Sequence, residues 1–285
     1  MTVVLGSPTT GGRHTYRYPA HHRDEARDAR LAAVREGTLG SVHSWELVTA
    51  VDGPGTRLTY FLSGCALRCL YCQNPDTWRL PDGMPTSIDE VKARIFRYAP
   101  VLRATGGGLT VSGGEPLLQT AFLSRMLRYA KELGLHTAVD TSGYLGARVS
   151  DAFLDDVDLF LLDVKSGLPE TYKMVTGREL APTLAFGRRL ADRGTSKIWI
   201  RYVLVPDLTD AVDNVDAVAD YVAELQQRGA GGVIERVEVL PFHQMGRDKW
   251  QQLGLTYQLE DTEPPSSELV DRVRGQFRTR GLTVY

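Results

Sequence analysis

The sequence is poor in cysteine and in long apolar runs, and both shortages limit what the protein can be. No apolar stretch approaches the roughly 18 residues that a membrane helix needs, so we expect no membrane partner. The first twelve residues lack the basic and apolar regions of a secretory signal. Three cysteines in 285 residues, without such a signal, do not make a disulfide framework. These shortages predict a cytoplasmic protein.

The sequence also lacks a marked excess of either basic or acidic residues. The chain has 33 basic and 35 acidic residues, and its formal net charge is −2. A nucleic-acid-binding domain would carry a clearly basic footprint, so we expect no nucleic-acid partner. The hydrophobic fraction of 42% is enough to bury the core of one large α/β domain.

The first 40 residues differ from the rest of the chain. They lack the apolar spacing that builds a core, although residues 23–36 could form one short helix that stops at Gly37. We expect residues 1–40 to be a polar, mobile extension and residues 41–285 to form the folded domain.

Within the domain, apolar strands alternate with helices. Strands are predicted at residues 56–63, 108–112, 136–140, 159–165, 198–205 and 237–242, with a short terminal strand at 282–285. One intervening helix is marked by a capping box of Ser87 and Glu90. Apolar strands separated by helices indicate a parallel sheet covered by helices. Six strands are too few for a closed eight-stranded barrel, so we predict an α/β fold, a partial (β/α)6 TIM-like barrel open on one side.

The three cysteines lie within eight positions. Cys65, Cys69 and Cys72 form a C-x3-C-x2-C loop directly after the first predicted strand. A closed zinc site would need a fourth ligand, and no Cys or His nearby in sequence supplies one. Three thiolates can hold a [4Fe–4S] cluster and leave one iron open. The alternative, three cysteines packed as small apolar residues, would scatter them along the chain.

Residues that could take part in catalysis or binding follow the other predicted strands. They are Ser112–Pro116, Asp140–Gly143, Asp163 with Lys165, Arg201, and Pro241–His243. In a parallel barrel the active site gathers at these carboxyl ends. Several simpler interpretations stay open: a plain turn at Gly113-Gly114, a structural ion pair of Asp163 with Lys165, and a core position for His243. Arg201 could contact a cofactor or pair with a buried carboxylate, and the tryptophans Trp78, Trp199 and Trp250 suit packing.

Several blocks in one order resemble a known family. They are V-D-G-P-G at 51–55, the cysteine loop with Tyr71, G-G-G-L-T-V-S-G-G-E at 106–115, L-L-D-V-K at 161–165, W-I-R-Y-V at 199–203 and L-P-F-H at 240–243. Together they resemble the radical S-adenosylmethionine (SAM) superfamily and, within it, the pyruvate formate-lyase activating enzymes. The resemblance covers residues 40–285. Ser142 and Gln73 depart from it, since relatives more often have Asn and His there.

The resemblance implies a role for each candidate residue. The cluster would be held by Cys65, Cys69 and Cys72, and these three with Lys165 would be the catalytic residues. Cofactor contacts would come from Tyr71, Gly113, Gly114, Glu115, Asp140, Asp163, Lys165, Arg201 and His243. A monovalent cation, potassium or sodium, would be held by Asp140, Thr141 and Asp163. Asp52 would contact the partner protein.

The resemblance also implies the reaction and the partners. An electron from flavodoxin or ferredoxin would reach the cluster and cleave SAM reductively. The resulting 5′-deoxyadenosyl radical would take a hydrogen atom from a backbone glycine of pyruvate formate-lyase. The enzyme would be a monomer. Alternatives are an activase for another glycyl-radical enzyme, an iron–sulfur electron carrier, and a zinc-stabilised interaction domain.

Overall fold

The computed structural model describes residues 20–49, 51–229 and 231–285, and the side chains of residues 20–24, 48 and 49 are excluded. The helices are α1 (Ala20–Glu36), α2 (Ile88–Ala104), α3 (Thr120–Glu132), α4 (Asp151–Asp155), α5 (Pro169–Thr176), α6 (Ala181–Arg193), α7 (Val212–Gln227), α8 (Arg247–Gln252) and α9 (Ser267–Arg278). The strands are β1 (Leu39–Thr49), β2 (Arg57–Leu62), β3 (Met84–Ser87), β4 (Gly108–Gly113), β5 (His136–Thr141), β6 (Leu159–Asp163), β7 (Lys197–Leu204) and β8 (Ile234–Pro241). In these ranges no helix is both long enough and apolar enough to cross a membrane.

The strands form one sheet in the order β3-β1-β2-β4-β5-β6-β7-β8. All pairs from β2 to β8 are parallel, so the six predicted strands are confirmed. Within the described ranges β3 and β8 are the two edges of this sheet, and it does not close into a ring. The predicted partial barrel is therefore confirmed.

Two strands and part of the chain's end differ from the prediction. β1 pairs antiparallel with both β2 and β3 and extends the sheet beyond the parallel strands. β3 has only four residues, one of them proline, so its sequence carries no strand pattern. The predicted terminal strand at residues 282–285 is present as a single parallel bridge, Val237 to Val284.

The structure corrects the expected boundary after residue 40. β1 begins at Leu39, and α1 packs on α3 through contacts such as Arg125 Nε to the Glu36 carbonyl, 2.6 Å. A side chain at Gly37 would lie 2.3 Å from the Ala121 carbonyl oxygen, so α1 ends in close contact with α3. The chain from Ala20 thus belongs to the folded body. The expectation of mobility for residues 1–19 lies outside the described residues.

The helices follow the local sequence. At the start of α2, the Ser87 hydroxyl accepts from the Glu90 amide while the Glu90 carboxylate accepts from the Ser87 amide, so the predicted capping box is confirmed. Alternate residues of the parallel strands, such as Leu109, Phe160 and Ile200, pack in the main core with the helices. The other face of the sheet is the barrel interior, which carries a small apolar cluster around Leu161 and many polar side chains.

Candidate functional site

One cavity of about 250 Å³ lies where the carboxyl ends of the parallel strands meet. It is lined by Cys65, Leu67, Cys69, Tyr71, Cys72, Gln73, Asn74, Thr77, Trp78, Ser112, Gly113, Gly114, Asp140, Thr141, Ser142, Asp163, Lys165, Arg201, Val203, Leu240 and Phe242. Every parallel strand contributes through its end or the loop that follows. The structure therefore brings most of the predicted site residues together.

The cysteine loop is held on two sides. On one side the Gly64 and Cys65 amides donate to the carbonyls of Thr77 (2.6 Å) and Trp78 (3.1 Å). On the other side the Arg68 and Leu70 amides donate to the end of α5, at 2.9 and 3.0 Å. These bonds fix the loop between the segment after the cysteines and a short helix that the sequence pattern did not reveal. The loop is therefore preformed, with all three cysteines lining the cavity.

Burial controls the chemistry of the three thiols. It raises the pKa of Cys65 to about 12, and it raises the pKa values of Cys69 and Cys72 as well. Without a bound cation they would stay protonated, and metal binding is what stabilises thiolates. Throughout the described ranges, no three His, Cys, Asp or Glu side chains are grouped so that they could hold one metal ion.

Three buried polar atoms in the cavity lining lack a hydrogen-bond partner among the described residues. They are the Tyr71 hydroxyl, the Trp78 indole nitrogen and Oδ1 of Asp140. Leaving one such group unsatisfied costs about 1–3 kcal/mol. Soft thiolates suit an iron–sulfur cluster, and the polar atoms beside them suit a polar molecule next to it. The residues present thus fit a [4Fe–4S] cluster with SAM.

Gly113 and Gly114 allow a close backbone contact. A side chain at Gly114 would lie 2.4 Å from the Gly64 carbonyl oxygen, and one at Gly113 would lie 2.2 Å from the Leu62 amide nitrogen. The Glu115 amide donates to the Gly64 carbonyl at 2.8 Å. The glycine pair is therefore more than a plain turn, because it lets the end of β4 pack against the start of the cysteine loop. Its contact with a cofactor stays a prediction.

Glu115 has a different position from the one expected. Its buried carboxylate accepts from the hydroxyls of Thr141 (2.6 Å) and Ser142 (2.5 Å) and from the amides of Leu117 and Ser142. The side chain lies behind the cavity wall and ties the end of β4 to the turn after β5. The carboxylate therefore supports the cavity wall, and the cofactor contact predicted for Glu115 stays a prediction. The hydroxyl of Ser142, where relatives more often have Asn, is one of its donors.

Asp163 and Lys165 line the cavity as an ion pair. Lys165 Nζ lies 2.8 Å from Asp163 Oδ2 and 5.7 Å from the centre of the Tyr71 ring. Burial disfavours the ammonium, but Asp163, Tyr71 and Cys69 outweigh it and raise the pKa of Lys165 well above its usual value. Both interpretations of this pair are thus compatible, since the pair is structural and also faces the cavity. Lys165 is a cation at neutral pH.

Arg201 is at once a cavity residue and a buried ion partner. Its Nη1 lies 3.3 Å from Asp140 Oδ2, its Nε 3.1 Å from Glu238 Oε2, and its Nη2 3.8 Å from Asp52 Oδ1. It also donates to the Val51 carbonyl. Burial raises the pKa of Asp140 to about 6, an effect that the guanidinium of Arg201 opposes.

Two predicted residues lie beside the cavity. Asp52 is only 8% exposed, and its carboxylate faces Thr59 and Arg201. The structure therefore buries the residue that we expected to meet a partner. His243 is half-buried at the mouth, where its Nε2 lies 2.7 Å from Gln73 Nε2. Its neighbour Phe242 lines the cavity instead.

The sequence analysis assigned no role in the site to some lining residues. Ser112 was named only as a strand-end residue, and its hydroxyl donates to Asp140 Oδ2 at 2.7 Å. Trp78 was assigned to packing, and it does pack edge-on against Trp250, with 5.0 Å between ring centres. Its indole nitrogen also lies in the cavity wall, and no periodic pattern in the sequence indicates this position.

Loss of Arg201 should be costly for stability. In Arg201→Met the carboxylates of Asp140, Glu238 and Asp52 would lose their shared cation, so we expect the free energy of unfolding of the cluster-free protein to fall by about 3–5 kcal/mol. Urea unfolding measures this. The control is Arg128→Met, which removes an exposed pair with Asp156 and should cost no more than about 1 kcal/mol. Equal losses in both variants would contradict the role given to Arg201.

Comparison with known proteins bears on the same residues. The family model described as the Radical SAM superfamily matches residues 59–220, which include all three cysteines. The pyruvate formate-lyase-activating enzyme of Staphylococcus epidermidis is 41% identical over 238 residues, covering 81% of this chain and 92% of that protein. The pyruvate formate-lyase 1-activating enzyme of Escherichia coli K12 is 36% identical over 248 residues, covering 86% and 98%.

Solved structures share the fold. A radical SAM methyltransferase from Sphaerobacter thermophilus superposes with a TM-score of 0.56 at 17% identity, covering 91% of this chain and 80% of that one. SuiB of Streptococcus suis, bound to the precursor peptide SuiA, gives a TM-score of 0.59 at 15% identity, with coverage of 98% and 56%. From the family model and the curated relatives, the chain belongs to the radical SAM superfamily and, within it, to the pyruvate formate-lyase activating enzymes.

Proposed function

We propose that the protein activates a pyruvate formate-lyase by generating a radical on a glycine of its backbone. The observation that carries this proposal is one cavity lined by the buried Cys69, the half-buried Cys65 and Cys72, and three residues whose buried polar atoms have no partner in the described chain. The thiols suit the cluster, and the polar atoms suit SAM beside it. When bound, the cluster supplies the electron that cleaves SAM to methionine and a 5′-deoxyadenosyl radical.

The chain's own residues orient the reactants and exclude water. Leu67, Tyr71 and Phe242 are buried around the cysteines, so the reacting centre lies in a dry environment. Lys165 stays protonated there because the carboxylate of Asp163 stabilises the ammonium group. The pair thus provides a donor and an acceptor for the polar parts of SAM. Mutual orientation in a water-free cavity is the main contribution that a protein makes to such chemistry.

The open sheet provides a route for a protein substrate. In the described chain the edges formed by β3 and β8 are not joined, so a peptide segment could reach the cavity from the side. A backbone glycine has no side chain to extend into the cavity, and the substrate loop itself has to enter. Asp52 remains our candidate for recognising that loop, although its carboxylate would first have to leave Arg201.

The proposed function also includes an electron donor, an oligomeric state and a cellular compartment. We assign flavodoxin or ferredoxin as the donor, a monomeric state, and the cytoplasm as the compartment. His243 at the mouth and Gly113-Gly114 in the wall complete the proposed SAM contacts.

We also propose a monovalent cation beside SAM. Oδ1 of Asp140 is buried without a partner in the described residues, and Asp163 and Thr141 line the same wall. Oxygen atoms are the ligands that such a hard cation prefers. The Thr141 hydroxyl donates its hydrogen to Glu115, so its oxygen would bind the cation through a lone pair.

The cation predicts a potassium-dependent affinity for SAM. Isothermal titration of the reconstituted protein should show binding about tenfold tighter in potassium than in tetramethylammonium at equal ionic strength. Asp140→Asn should remove the difference, because it removes a negative ligand. Equal affinity of the unaltered protein in the two salts would contradict the site.

The activity predicts a glycyl radical in the partner. The test is electron paramagnetic resonance on an anaerobic mixture of reconstituted protein, SAM, dithionite and inactive pyruvate formate-lyase from the same source. We expect a glycyl-radical doublet that is absent with Cys69→Ala, because that variant lacks a cluster ligand.

Two other outcomes would change the assignment. Formation of 5′-deoxyadenosine without a doublet would keep the SAM chemistry and contradict the partner, favouring another glycyl-radical enzyme. Neither product, with the cluster intact, would contradict the activity and favour an electron carrier.

A further inference from the structure

The outer side of the cysteine loop carries two exposed arginines. Arg68 Nη1 donates to the carbonyls of Cys65 (2.8 Å) and Leu67 (2.7 Å), and Arg178 Nε donates to the carbonyl of Ala66 (2.8 Å). In the part of the chain that the structure describes, neither guanidinium has a carboxylate within 4 Å. Both bind the loop through neutral carbonyls, so both keep a full positive charge at the surface.

The surroundings leave this charge largely uncompensated. The nearby cations Arg79 and Lys173 are matched by Asp82 (3.7 Å) and Glu179 (2.9 Å). Glu170, at the start of α5, is a further exposed carboxylate on the same helix. We define the loop face as Arg68, Arg178, Met174 and Arg79, four of the exposed side chains on and beside the segment that carries the cysteines.

The loop face also has an adaptable apolar group. Met174 on α5 is 58% exposed, and the next residues of α5, Val175 and Thr176, accept hydrogen bonds from the cysteine loop. An exposed methionine can adjust to different partner surfaces. A basic surface with an apolar contact, directly over the cysteines, is suited to a transient partner.

We propose that the loop face is the docking surface for the electron donor, and that it attracts an acidic flavin or iron–sulfur protein by its positive charge. The proposal rests on the proposed function and names the surface and the charge of its reductant. The donor would give up one electron, and the cluster would pass from the 2+ to the 1+ state, with no bond made or broken. The loop face provides a short path because only residues 65–72 separate it from the cavity.

The physics of redox encounters favours such a surface. These complexes bury less than about 1,200 Å², and opposite charges act mainly by raising the association rate. Steering of this kind raises association about 10- to 1,000-fold and weakens with salt. The basic groove of Lys92, Arg125 and Arg128 on α2 and α3 is a poorer candidate, since Glu36 and Glu132 line it and it lies on the outer helical flank.

Stopped-flow absorbance measures the proposed docking. The probes are the reduced flavodoxin of Escherichia coli and, separately, dithionite, each mixed with the reconstituted protein. We expect Arg178→Gln and Arg68→Gln each to lower the second-order rate with flavodoxin about tenfold at low salt and to weaken its salt dependence. Arg178→Lys should keep most of the rate, because it keeps the charge. Arg128→Gln is the matched control.

Dithionite separates docking from damage to the loop. It is a small reductant that needs no protein surface, so in Arg178→Gln and Arg68→Gln its rate and the iron content should fall far less than the rate with flavodoxin. Unchanged flavodoxin rates, or equal losses with both reductants, would overturn the proposal. Failure of the proposed function would look different: the unaltered protein would form no 5′-deoxyadenosine even with dithionite.

Discussion

The buried guanidinium of Arg201 makes the polar barrel interior possible. It lies between carboxylates from β5, β8 and the turn before β2, namely Asp140, Glu238 and Asp52. Each of these charges would be costly alone, and a shared cation with good geometry offsets much of that cost. Because Arg201 compensates these anions in the cavity wall, one oxygen of Asp140 can stay free of partners in the described chain and face the cavity. The chemistry at the strand ends therefore depends on the ion network around Arg201.

The second constraint is the fixed path of the cysteine loop. Backbone bonds to Thr77, Trp78 and the end of α5 set where each thiol lies before any metal arrives. The absent side chain of Gly114 lets β4 approach the same loop. A preformed loop lowers the entropy cost of binding a cluster, and it also brings the exposed Arg68 and Arg178 to the solvent side of the cysteines. One short segment thus joins the metal site to the surface.

Much of this could be predicted from the sequence. Strands buried on both faces appear as apolar runs, so β6 and its parallel neighbours were found, and their carboxyl ends located the site. β1 and β3 were missed because β1 mixes polar with apolar residues and the four-residue edge strand β3 contains a proline. The direction of the side chains at the strand ends was predicted less well, because the alternation of inward and outward residues stops where a strand ends. Glu115 and Asp52 therefore turn toward buried partners, which only the tertiary structure reveals.

The most direct test of the account is an anaerobic crystal structure of the reconstituted protein with SAM. We expect a [4Fe–4S] cluster on Cys65, Cys69 and Cys72, with the fourth iron bound by the methionine group of SAM. The free atoms of Tyr71 and Asp140 should then gain partners from the bound groups or from ions and waters beside them. A single zinc ion on the cysteines, or SAM bound away from this cavity, would contradict the account.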